Sequence, residues 1–462
     1  MLELPGLREP HHALPRVRTQ PYPCFLDSGR DPDGVGRRSY LACRPFLVVH
    51  SKGSVSRLTR PREGREESWS GDPFRLLKEL LAAHRSSTPS PFPLAAGGAI
   101  GYFGYDLLHH VEEVPSRSRD DLGMPDLFLA FYDAVAVFDH SAGRAWLATS
   151  ATADGAMVEE LRQLFTRPDA PTAPGTAQSL RASELSSNFT RSEYLAAIEK
   201  IREYIVRGDV YQVNLSQRFS APFRGDPLEF YQRLRAASPA PFGACLFPDG
   251  FSILSNSPER YLLIDEAGYI ETRPIKGTRP RGRTPAEDEA LAEELRRSEK
   301  DRAEHVMIVD LERNDLGRVC EYASVHVPQL ETVESYANVH HLVSTVAGRV
   351  HPARDAVDCI RNSFPGGSIT GAPKVKAMEI IDELEPTCRG VYCGSIGYID
   401  FSGRVDLNIA IRTAIVRDGQ VYFQAGGGIV MDSDPAEEYE ETLTKAQSFL
   451  RVLTGTSRGW EL

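Results

Sequence analysis

The chain has 462 residues, of which 41% are hydrophobic and 25% are charged, and its formal net charge is -11 at pH 7. An acidic chain is a poor general binder of nucleic acid, because affinity for phosphate depends on clustered cations. No stretch approaches the ~20 consecutive apolar residues that a membrane-spanning helix needs, and the N-terminus carries Pro, His and Arg in place of an apolar signal core. We therefore expect a cytoplasmic protein that binds neither nucleic acid nor membrane.

The cysteines point to the same compartment. There are seven, and no two of them form a Cys-x-x-Cys pair. An odd number of scattered cysteines is typical of small buried side chains in a reducing compartment, and not of a disulfide framework.

In the first 165 residues, short apolar runs alternate with turn residues. Residues 39–50, 99–105 and 127–139 have the composition of strands, and the last of these continues through a turn at 140–144 into a hairpin. Residues 166–188 are rich in Pro, Ala, Thr and Ser, which is the composition of a connector. We therefore divide the chain into an N-terminal region at 1–165, a linker at 166–188 and a second region at 189–456.

The second region opens with a helix that starts at a capping box, Thr190 followed by Glu193, and ends at Gly208. In the next segment, 211–219, the odd positions are mostly apolar and the even positions from Gln212 to Arg218 are polar, which predicts a strand. Further strands are predicted at 251–254, 260–264, 269–275, 394–400, 407–416 and 421–424, and further helices at 285–316, 353–362, 374–384 and 435–453. Strands and helices follow one another without a regular βαβ order, which favours an α+β fold.

Five cations lie within residues 273–283, Arg-Pro-Ile-Lys-Gly-Thr-Arg-Pro-Arg-Gly-Arg, of this acidic chain. Lys276 precedes Gly277 and Thr278, so it lies where a strand gives way to a turn and a ligand can approach the backbone. The run is either a solvated basic loop, as most charge runs are, or a site in which Lys276 does chemistry.

The last predicted helix has a well-marked start, with Asp434 as N-cap and Pro435 as first helical residue. Glu438, Glu441 and Lys445 then share one face, because they are three and four residues apart in turn. Two carboxylates on adjacent turns can share Mg²⁺, which prefers oxygen ligands. A solvated Glu/Lys face is the commoner explanation of such a pattern.

Two glycine-rich stretches are candidate anion sites. Residues 423–430 place Gly427 and Gly428 at the end of a strand, where glycines either hold a carboxylate with backbone N–H groups or mark a bulge. Residues 364–374 lack the Lys-Ser/Thr pair of a phosphate loop. Ser368 and Thr370 nevertheless precede a predicted helix, which is suited to an anion or a hydroxyl group.

Two further patterns involve residues that ligate metals. Glu304 adjoins an apolar helix face within 301–311, so it needs an arginine or a metal as partner. The adjacent His340 and His341 cannot both face one side of a strand, and no Cys or third His lies at zinc-ligand spacing.

Together and in this order, four stretches resemble the family of chorismate-using enzymes: Pro-Ile-Lys-Gly-Thr-Arg-Pro-Arg-Gly, Ile-Val-Asp-Leu-Glu-Arg-Asn-Asp-Leu, Gly-Ala-Pro-Lys-Val-Lys-Ala-Met and Ala-Gly-Gly-Gly-Ile-Val. The resemblance is dense from about residue 190 to residue 453 and weaker before it. It implies an anthranilate synthase component I-like α+β fold, with large, mostly antiparallel β-sheets packed as a sandwich and helices on the outside.

The resemblance also implies a role for each candidate residue. Glu304, Glu438 and Glu441 would hold Mg²⁺ against the ring carboxylate of chorismate, and Glu259 would be the acid and base. Substrate carboxylates would be bound by Gly427, Gly428 and Lys445, with Gly277 and Thr278 nearby, and on the enolpyruvyl side by Tyr392 and Arg412. His341 and Ser368 would line the ring near the departing hydroxyl. Chorismate is a dianion, so a divalent metal, cations and glycine N–H groups are its natural counterparts.

Two positions distinguish reactions within the family. Anthranilate-forming members resemble Pro-Ile-Ala-Gly-Thr where this chain has Lys276, and water-using members carry a lysine base where it has Gln212. The resemblance therefore implies that ammonia attacks and that the product is 4-amino-4-deoxychorismate, a precursor of 4-aminobenzoate and folate, formed through a covalent Lys276 intermediate. We expect burial and the cations Arg273 and Arg279 to favour the uncharged Lys276 amine.

Partners follow from the same resemblance. The chain shows no cysteine-nucleophile glutaminase pattern, so ammonia is expected from a separate glutamine amidotransferase subunit. Residues 25–28, Phe-Leu-Asp-Ser, resemble the family's tryptophan pocket, which makes Ser28 part of a regulatory or merely structural pocket; Asp27 departs from the Leu-Glu-Ser form. Anthranilate formation and a non-catalytic module that binds tryptophan or chorismate stay open as alternative functions.

Overall fold

The structure, a computed structural model, describes residues 1–29, 35–87, 92–167, 184–336 and 338–454. The helices are α1 Pro10–Val17, α2 Pro73–Ala83, α3 Gly155–Thr166, α4 Arg191–Val206, α5 Pro227–Ala237, α6 Pro285–Arg297, α7 Glu299–Gly317, α8 Ala356–Ser363, α9 Lys374–Leu384 and α10 Pro435–Thr454, with 3₁₀ turns at Tyr105–His110 and Gly367–Ile369. Within these ranges, no helix is both long enough and apolar enough to cross a membrane.

The strands, in chain order, are β1 Leu2–Glu3, β2 Cys24–Asp27, β3 Arg38–Ala42, β4 Leu47–Lys52, β5 Val55–Arg60, β6 Arg65–Ser70, β7 Gly98–Phe103, β8 Leu127–Tyr132, β9 Ala134–Asp139, β10 Arg144–Thr149, β11 Ser186–Ser187, β12 Gln212–Pro222, β13 Phe242–Leu246, β14 Phe251–Ser257, β15 Arg260–Ile264, β16 Tyr269–Arg273, β17 Ile275–Pro280, β18 His326–Ser335, β19 Val339–Arg349, β20 Gly371–Ala372, β21 Ser395–Asp400, β22 Val405–Asn408, β23 Thr413–Arg417 and β24 Gln420–Ile429.

These strands form two sheets of twelve strands each. The first has the order β1-β10-β9-β3-β2-β13-β14-β23-β24-β12-β11, with β20 paired to β12. The second has the order β17-β19-β16-β15-β22-β21-β7-β8-β4-β5-β6, with β18 paired to β19. Neighbouring strands are antiparallel, as in β12 with β24 and β17 with β19.

The alternation of side chains along each strand explains how the sheets pack. On β8, Phe128 and Ala130 belong to the core between the two sheets, whereas Leu129 and Phe131 pack in the core beneath the helices on the outer face. Because successive side chains of a strand point to opposite faces, an unbroken apolar run such as β8 is buried on both sides. The sandwich is closed by contacts such as Tyr40 of the first sheet against Tyr398 of the second, whose ring centroids are 5.3 Å apart. The predicted α+β sandwich with helices outside is therefore confirmed.

Both sheets combine strands from the two predicted regions. β2 pairs with β13, and β7 pairs with β21, so hydrogen bonds join segments more than two hundred residues apart. Residues 168–183 of the predicted linker lie outside the described residues. The division at 166–188 stays a prediction about the sequence, while the sheets themselves are continuous across it.

Several predicted elements are present with their predicted bounds, and others are divided. The capping box of Thr190 and Glu193 starts α4, and α9 occupies 374–384 as predicted. The predicted strand 127–139 is wrong as a single element, because the chain passes from the second sheet to the first at Asp133, between β8 and β9. The predicted helix 285–316 is likewise two helices, because Ser298 ends α6 and its side chain caps α7 by accepting from the backbone N–H of Asp301.

Candidate active site

The candidate site lies where the β12–β24 edge of the first sheet meets the β17–β19 edge of the second, between α7 and α10. A methyl group placed on Gly428 of β24 would lie 3.2 Å from Nζ of Lys276 on β17 and 2.5 Å from Nε2 of Gln212 on β12. Lys276 and Gln212 therefore share one small space in front of Gly428. A side chain at position 428 would fill it.

A bulge determines the direction of β17 beside Lys276. Lys276 pairs with Leu342 and Thr278 with His341, so one extra residue, Gly277, lies between the two pairs. Gly277 has a φ of +74°, a left-handed conformation that favours glycine. A side chain there would also clash with Leu295, 2.7 Å away. Glycine thus allows the strand to turn beside the lysine.

Lys276 has a pKa below its ordinary value. Burial is the main cause, and the carboxylates of Glu304, Glu259 and Glu441 oppose it, while the ammonium of Lys445 lowers the pKa further. A protein interior disfavours the charged amine, so the uncharged, nucleophilic form is favoured. The predicted cations, Arg273 and Arg279, are not among the main causes of this shift, and each forms an ion pair.

Both arginines have acidic partners at close range. Arg273 pairs with Glu334, and Arg279 pairs with Glu294 at 2.7 Å and with Asp301 at 3.0 Å. A cation that is paired at close range adds little net field to a third group. Lys445, which the sequence places on α10, is the cation that acts on Lys276.

Glu259 is the buried acid of the site. It is only 4% exposed, and burial raises its pKa to about 7, against the opposing effects of the Ser368 hydroxyl, the Lys276 amine and the Arg412 guanidinium. A carboxyl group with this pKa is present in both protonation states near neutrality, as a general acid and base requires. Glu259, Lys276, Ser368 and Arg412 are thus close enough together to influence one another.

Arg412 is a partly buried cation that forms no ion pair within the described residues. Burial lowers its pKa, the charge of Glu259 opposes that shift, and no hydrogen bond or ion pair of its guanidinium occurs within the described ranges. Its backbone has a φ of +49°, which strains a residue with a side chain. An unpaired, partly buried guanidinium is a natural site for a carboxylate.

His341 is buried and uncharged. Its pKa is lowered to about 3 by burial and by the charge of Arg412. Its Nδ1 is 3.0 Å from Oγ1 of Thr278, so the ring and the hydroxyl hydrogen-bond to each other. Its neighbour His340 faces the other side of β19 and pairs with Asp288 at 3.0 Å. The two histidine rings therefore lie on opposite faces of β19 and cannot bind one zinc ion together.

Three carboxylates approach one another at the opening between α7 and α10. Burial raises the pKa of Glu304, and burial likewise raises the pKa of Glu438, whose Oε1 accepts a hydrogen bond of 2.6 Å from the Ser433 hydroxyl. Glu441 forms an ion pair of 2.6 Å with Lys445. Among the described residues, no three His, Cys, Asp or Glu side chains lie close enough together to form a ready metal cluster.

The oxygen atoms of two of these carboxylates nevertheless line one space. A methyl group on Gly427 would lie 3.1 Å from Oε2 of Glu438 and 3.7 Å from Oε1 of Glu441. Buried like charges raise each other's pKa, and the charge of Glu438 acts on Glu304 in this way. Such a set of hard oxygen donors fits Mg²⁺.

Several buried polar atoms in this region have no hydrogen-bond partner within the described residues. They are Nε2 and Oε1 of Gln212, Nε2 of His341 and Oγ of Ser368. The Ser368 hydroxyl is close enough to Glu259 to lower the pKa of that carboxyl, but the two groups do not meet the distance and angle of a hydrogen bond. Buried polar groups are nearly always paired in folded proteins, so a concentration of unpaired ones indicates a site that a polar ligand completes.

Of the remaining sequence-predicted residues, Tyr392 is buried and Ser28 lies apart. The ring of Tyr392 is 5.8 Å from the Arg389 guanidinium. Ser28 lines a separate cavity of about 60 Å³ together with Asp27, Tyr40, Phe242 and Tyr398. The sequence analysis assigned no role to Arg389 and Glu385, which form a buried ion pair behind the site, or to Glu312, which accepts a hydrogen bond of 2.9 Å from the backbone N–H of Gly367. Glu312 lies within one of the four stretches that resemble the family, but no local pattern marked it as a site residue.

Comparisons with known proteins agree with this geometry. A family model described as chorismate binding enzyme matches residues 44–451. The chain is 43% identical to aminodeoxychorismate synthase component 1 of Klebsiella aerogenes, over 95% of each chain. It is 38% identical to anthranilate synthase component 1 of Acetivibrio thermocellus, over 93% of this chain and 90% of that one. The crystal structure of anthranilate synthase component I from Streptococcus pneumoniae TIGR4 has a TM-score of 0.81 at 35% identity, covering 90% of this chain and 92% of that one.

Proposed function

The chain belongs to the family of chorismate-binding enzymes, and we propose that it acts as the first component of an aminodeoxychorismate synthase. It would replace the 4-hydroxyl of chorismate with an amino group, for 4-aminobenzoate and folate synthesis. Relatives of that name are 40% to 45% identical over nearly the whole chain. The observation that carries the proposal is Lys276, a partly buried amine that lies beside Gly428 and Gln212 and whose pKa is lowered by desolvation.

The proposed reaction has two displacement steps and returns every group to its starting state. The uncharged Lys276 amine forms a bond to ring carbon 2, the two conjugated ring double bonds shift by one position each, and the bond from carbon 4 to oxygen breaks. Glu259 gives its proton to the departing hydroxyl, which leaves as water. Ammonia then bonds to carbon 4, the double bonds shift back and Lys276 leaves as the amine. The new ammonium group returns a proton to Glu259, so the sum is chorismate plus ammonia giving aminodeoxychorismate plus water.

The other residues are proposed to bind and orient the substrate. Arg412 and Tyr392 bind the enolpyruvyl carboxylate, because Arg412 is a partly buried cation that forms no ion pair within the described residues. The ring carboxylate is held by Lys445 and by the backbone at Gly427 and Gly428, with Gly277 and Thr278 nearby. His341 and Ser368, each with an unpaired polar atom, hydrogen-bond the hydroxyl that leaves.

We propose that Glu304, Glu438 and Glu441 hold a Mg²⁺ ion. When bound, the ion supplies positive charge for the ring carboxylate of the substrate. Glu438 is oriented by the Ser433 hydroxyl, and Glu441 forms an ion pair with Lys445 through Oε1. The Lys445 ammonium would therefore lie beside the ion and the substrate carboxylate.

Ammonia is proposed to come from a separate glutamine amidotransferase subunit in the cytoplasm. A glutaminase of the cysteine type needs a thiolate, and burial raises the pKa of every one of the seven cysteines, the least shifted being Cys320 at about 11. All seven thiols are free, as a reducing compartment requires. The relatives are themselves named as first components.

We propose that the cavity at Ser28 is structural in this chain and does not take tryptophan. The carboxylate that an amino group would need, Asp27, is bound by Arg235 and accepts a hydrogen bond of 3.1 Å from Tyr231. The cavity measures about 60 Å³. For comparison, an engineered apolar cavity that binds benzene has a volume of about 150 Å³, and benzene is smaller than indole.

Product analysis tests the proposed function. The purified chain is incubated with chorismate, Mg²⁺ and an ammonium salt, and the products are separated and identified by mass. Aminodeoxychorismate supports the proposal, and its formation should be lost in Lys276→Ala. Anthranilate as the main product would favour the alternative that the anthranilate synthase relatives represent. A chain that consumes no chorismate would favour a non-catalytic binding module.

A further inference from the structure

Two buried side chains behind the candidate site connect three of its segments. Arg389 donates from Nε to Oε2 of Glu385 at 2.9 Å and from Nη2 to Oε1 of Glu385 at 2.7 Å, which is a two-point ion pair. Both residues are 3% exposed. The pair is therefore fully enclosed in the protein.

The guanidinium of Arg389 also binds the backbone of two segments that carry site residues. Its Nη1 donates to the carbonyl of Ile369 at 3.0 Å, and Ile369 directly follows Ser368. Its Nη2 donates to the carbonyl of Asn214 at 2.7 Å, two residues from Gln212 on β12. One planar group thus sets the distance between the Ser368 loop and the Gln212 strand.

Further hydrogen bonds of Glu385 and Asn214 join the same segments. Oε1 of Glu385 accepts from the backbone N–H of Ser216 at 2.8 Å and from its hydroxyl at 2.9 Å. Nδ2 of Asn214 donates to the carbonyl of Ile369 at 3.0 Å. The Arg389 guanidinium lies 5.8 Å from the ring centroid of Tyr392, the residue proposed to bind the enolpyruvyl carboxylate.

A buried ion pair is weak support for stability, because apolar residues of the same volume often stabilise a fold as well. Here the polar contacts go to the backbone of segments that carry Ser368 and Gln212, and no substrate contact is needed to satisfy them. We propose that Arg389 and Glu385 are positioning residues, which hold the Ser368 loop, the Gln212 strand and Tyr392 in one arrangement. This inference rests on the proposed function, because it concerns the site of that reaction.

The test is Arg389→Lys, which keeps the positive charge and removes the planar fork. The matched control is Arg62→Lys, because Arg62 makes a two-point pair of 2.7 Å with buried Asp133 in a part of the fold remote from the site. We expect kcat for chorismate consumption to fall about 100-fold in Arg389→Lys, the size of effect that a displacement of 1 Å produces. We expect kcat to be unchanged in Arg62→Lys, and Tm to fall less than in Arg389→Lys because the Arg62 side chain is more exposed.

A second readout separates positioning from stability. The Ser368 hydroxyl lowers the pKa of Glu259. If the Ser368 loop moves away in the variant, the pKa of Glu259 rises, and the alkaline limb of the kcat/KM profile shifts to higher pH. The charged groups that face Glu259 are Lys276, Arg412 and the buried Glu312. Neither Lys276 nor Arg412 is bonded to Arg389, so we expect both to stay in place in the variant. An equal kcat and an unmoved limb in both lysine variants would overturn the inference.

Asn214→Ala provides the test if Arg389→Lys does not fold. It removes only the side-chain contact to the Ile369 carbonyl, and a smaller shift of the limb in the same direction is expected. No change in kcat or in the limb would overturn the inference. Chorismate consumption reports on positioning and product identity reports on the proposed function, so either can fail without the other.

Discussion

The protonation of Glu259 determines how the reaction should depend on pH. Burial raises the pKa of this carboxyl to about 7. An ordinary glutamic acid, with a pKa near 4.3, is only about 0.2% protonated at pH 7, whereas Glu259 is about half protonated there. Because the departing hydroxyl needs that proton, kcat/KM should fall about tenfold for each pH unit above ~7.

The replacement of Ser368 by alanine should move this limb in a known direction. The Ser368 hydroxyl lowers the pKa of Glu259, so Ser368→Ala raises it and the limb shifts to higher pH, whatever happens to the maximal rate. The assay is kcat/KM for chorismate from about pH 5.5 to 9.5, with the concentration of free NH3 held constant. Ser192→Ala, at an exposed position, is the control. A profile without an alkaline limb between about pH 6 and 8, or an equal limb in both variants, would refute the assignment of Glu259.

Three further predictions concern stability, metal and regulation. The folded protein binds the Glu259 proton more tightly than the unfolded chain does. The free energy of unfolding should therefore fall by about 3 kcal/mol as pH rises from ~4.3 to 7. Glu259→Gln removes this loss, so it should raise Tm at pH 8 and leave it nearly unchanged at pH 4. Glu438→Gln should raise the Mg²⁺ concentration for half-maximal rate about tenfold or more, while Glu440→Gln on the exposed face of α10 should not. Tryptophan at millimolar concentration should show no binding in calorimetry and should not inhibit chorismate consumption, because the Asp27 carboxylate is already paired with Arg235. Binding at micromolar concentration would contradict this prediction.

The parts of the fold that local signals specify could be predicted from the sequence. The Thr190 and Glu193 capping box and the Asp434 cap depend on residues three or fewer apart, and both helices begin where these residues place them. The break at Asp133 could not be predicted, because apolar residues continue on both sides of it and the change of sheet depends on distant partners. Serine is a common helix cap, so Ser298 could have marked a helix start. The charged residues on both sides of it continue one helical pattern, however, and the break between α6 and α7 was not predicted.

The candidate site, like the fold, could be predicted from the sequence only where local spacing determines it. The spacing of Glu438, Glu441 and Lys445 places them on one face of α10, and the structure adds that Lys445 pairs with Glu441 and also donates to the Gly426 carbonyl at 2.8 Å. The environment of Lys276 comes from other segments, namely Glu304 on α7 and Glu441 on α10. The local pattern at 273–283 marked Lys276 as a candidate, but no local rule links it to Glu304 and Glu441, and its covalent role came from the family resemblance. Its predicted cations, Arg273 and Arg279, each have an acidic partner at close range.

Overall similarity does not decide which reaction this fold performs. The chain is 38% to 41% identical to anthranilate synthase components and 40% to 45% identical to aminodeoxychorismate synthase components, so the two ranges overlap. In the proposed reaction scheme, the carboxylate-binding and metal-binding residues would serve either product. We propose that Lys276 distinguishes the two, because the alanine that the family resemblance gives to anthranilate-forming members cannot form a bond to the ring. The product would then depend on whether the Lys276 amine, which lies beside Gly428 and Gln212, is uncharged when chorismate binds.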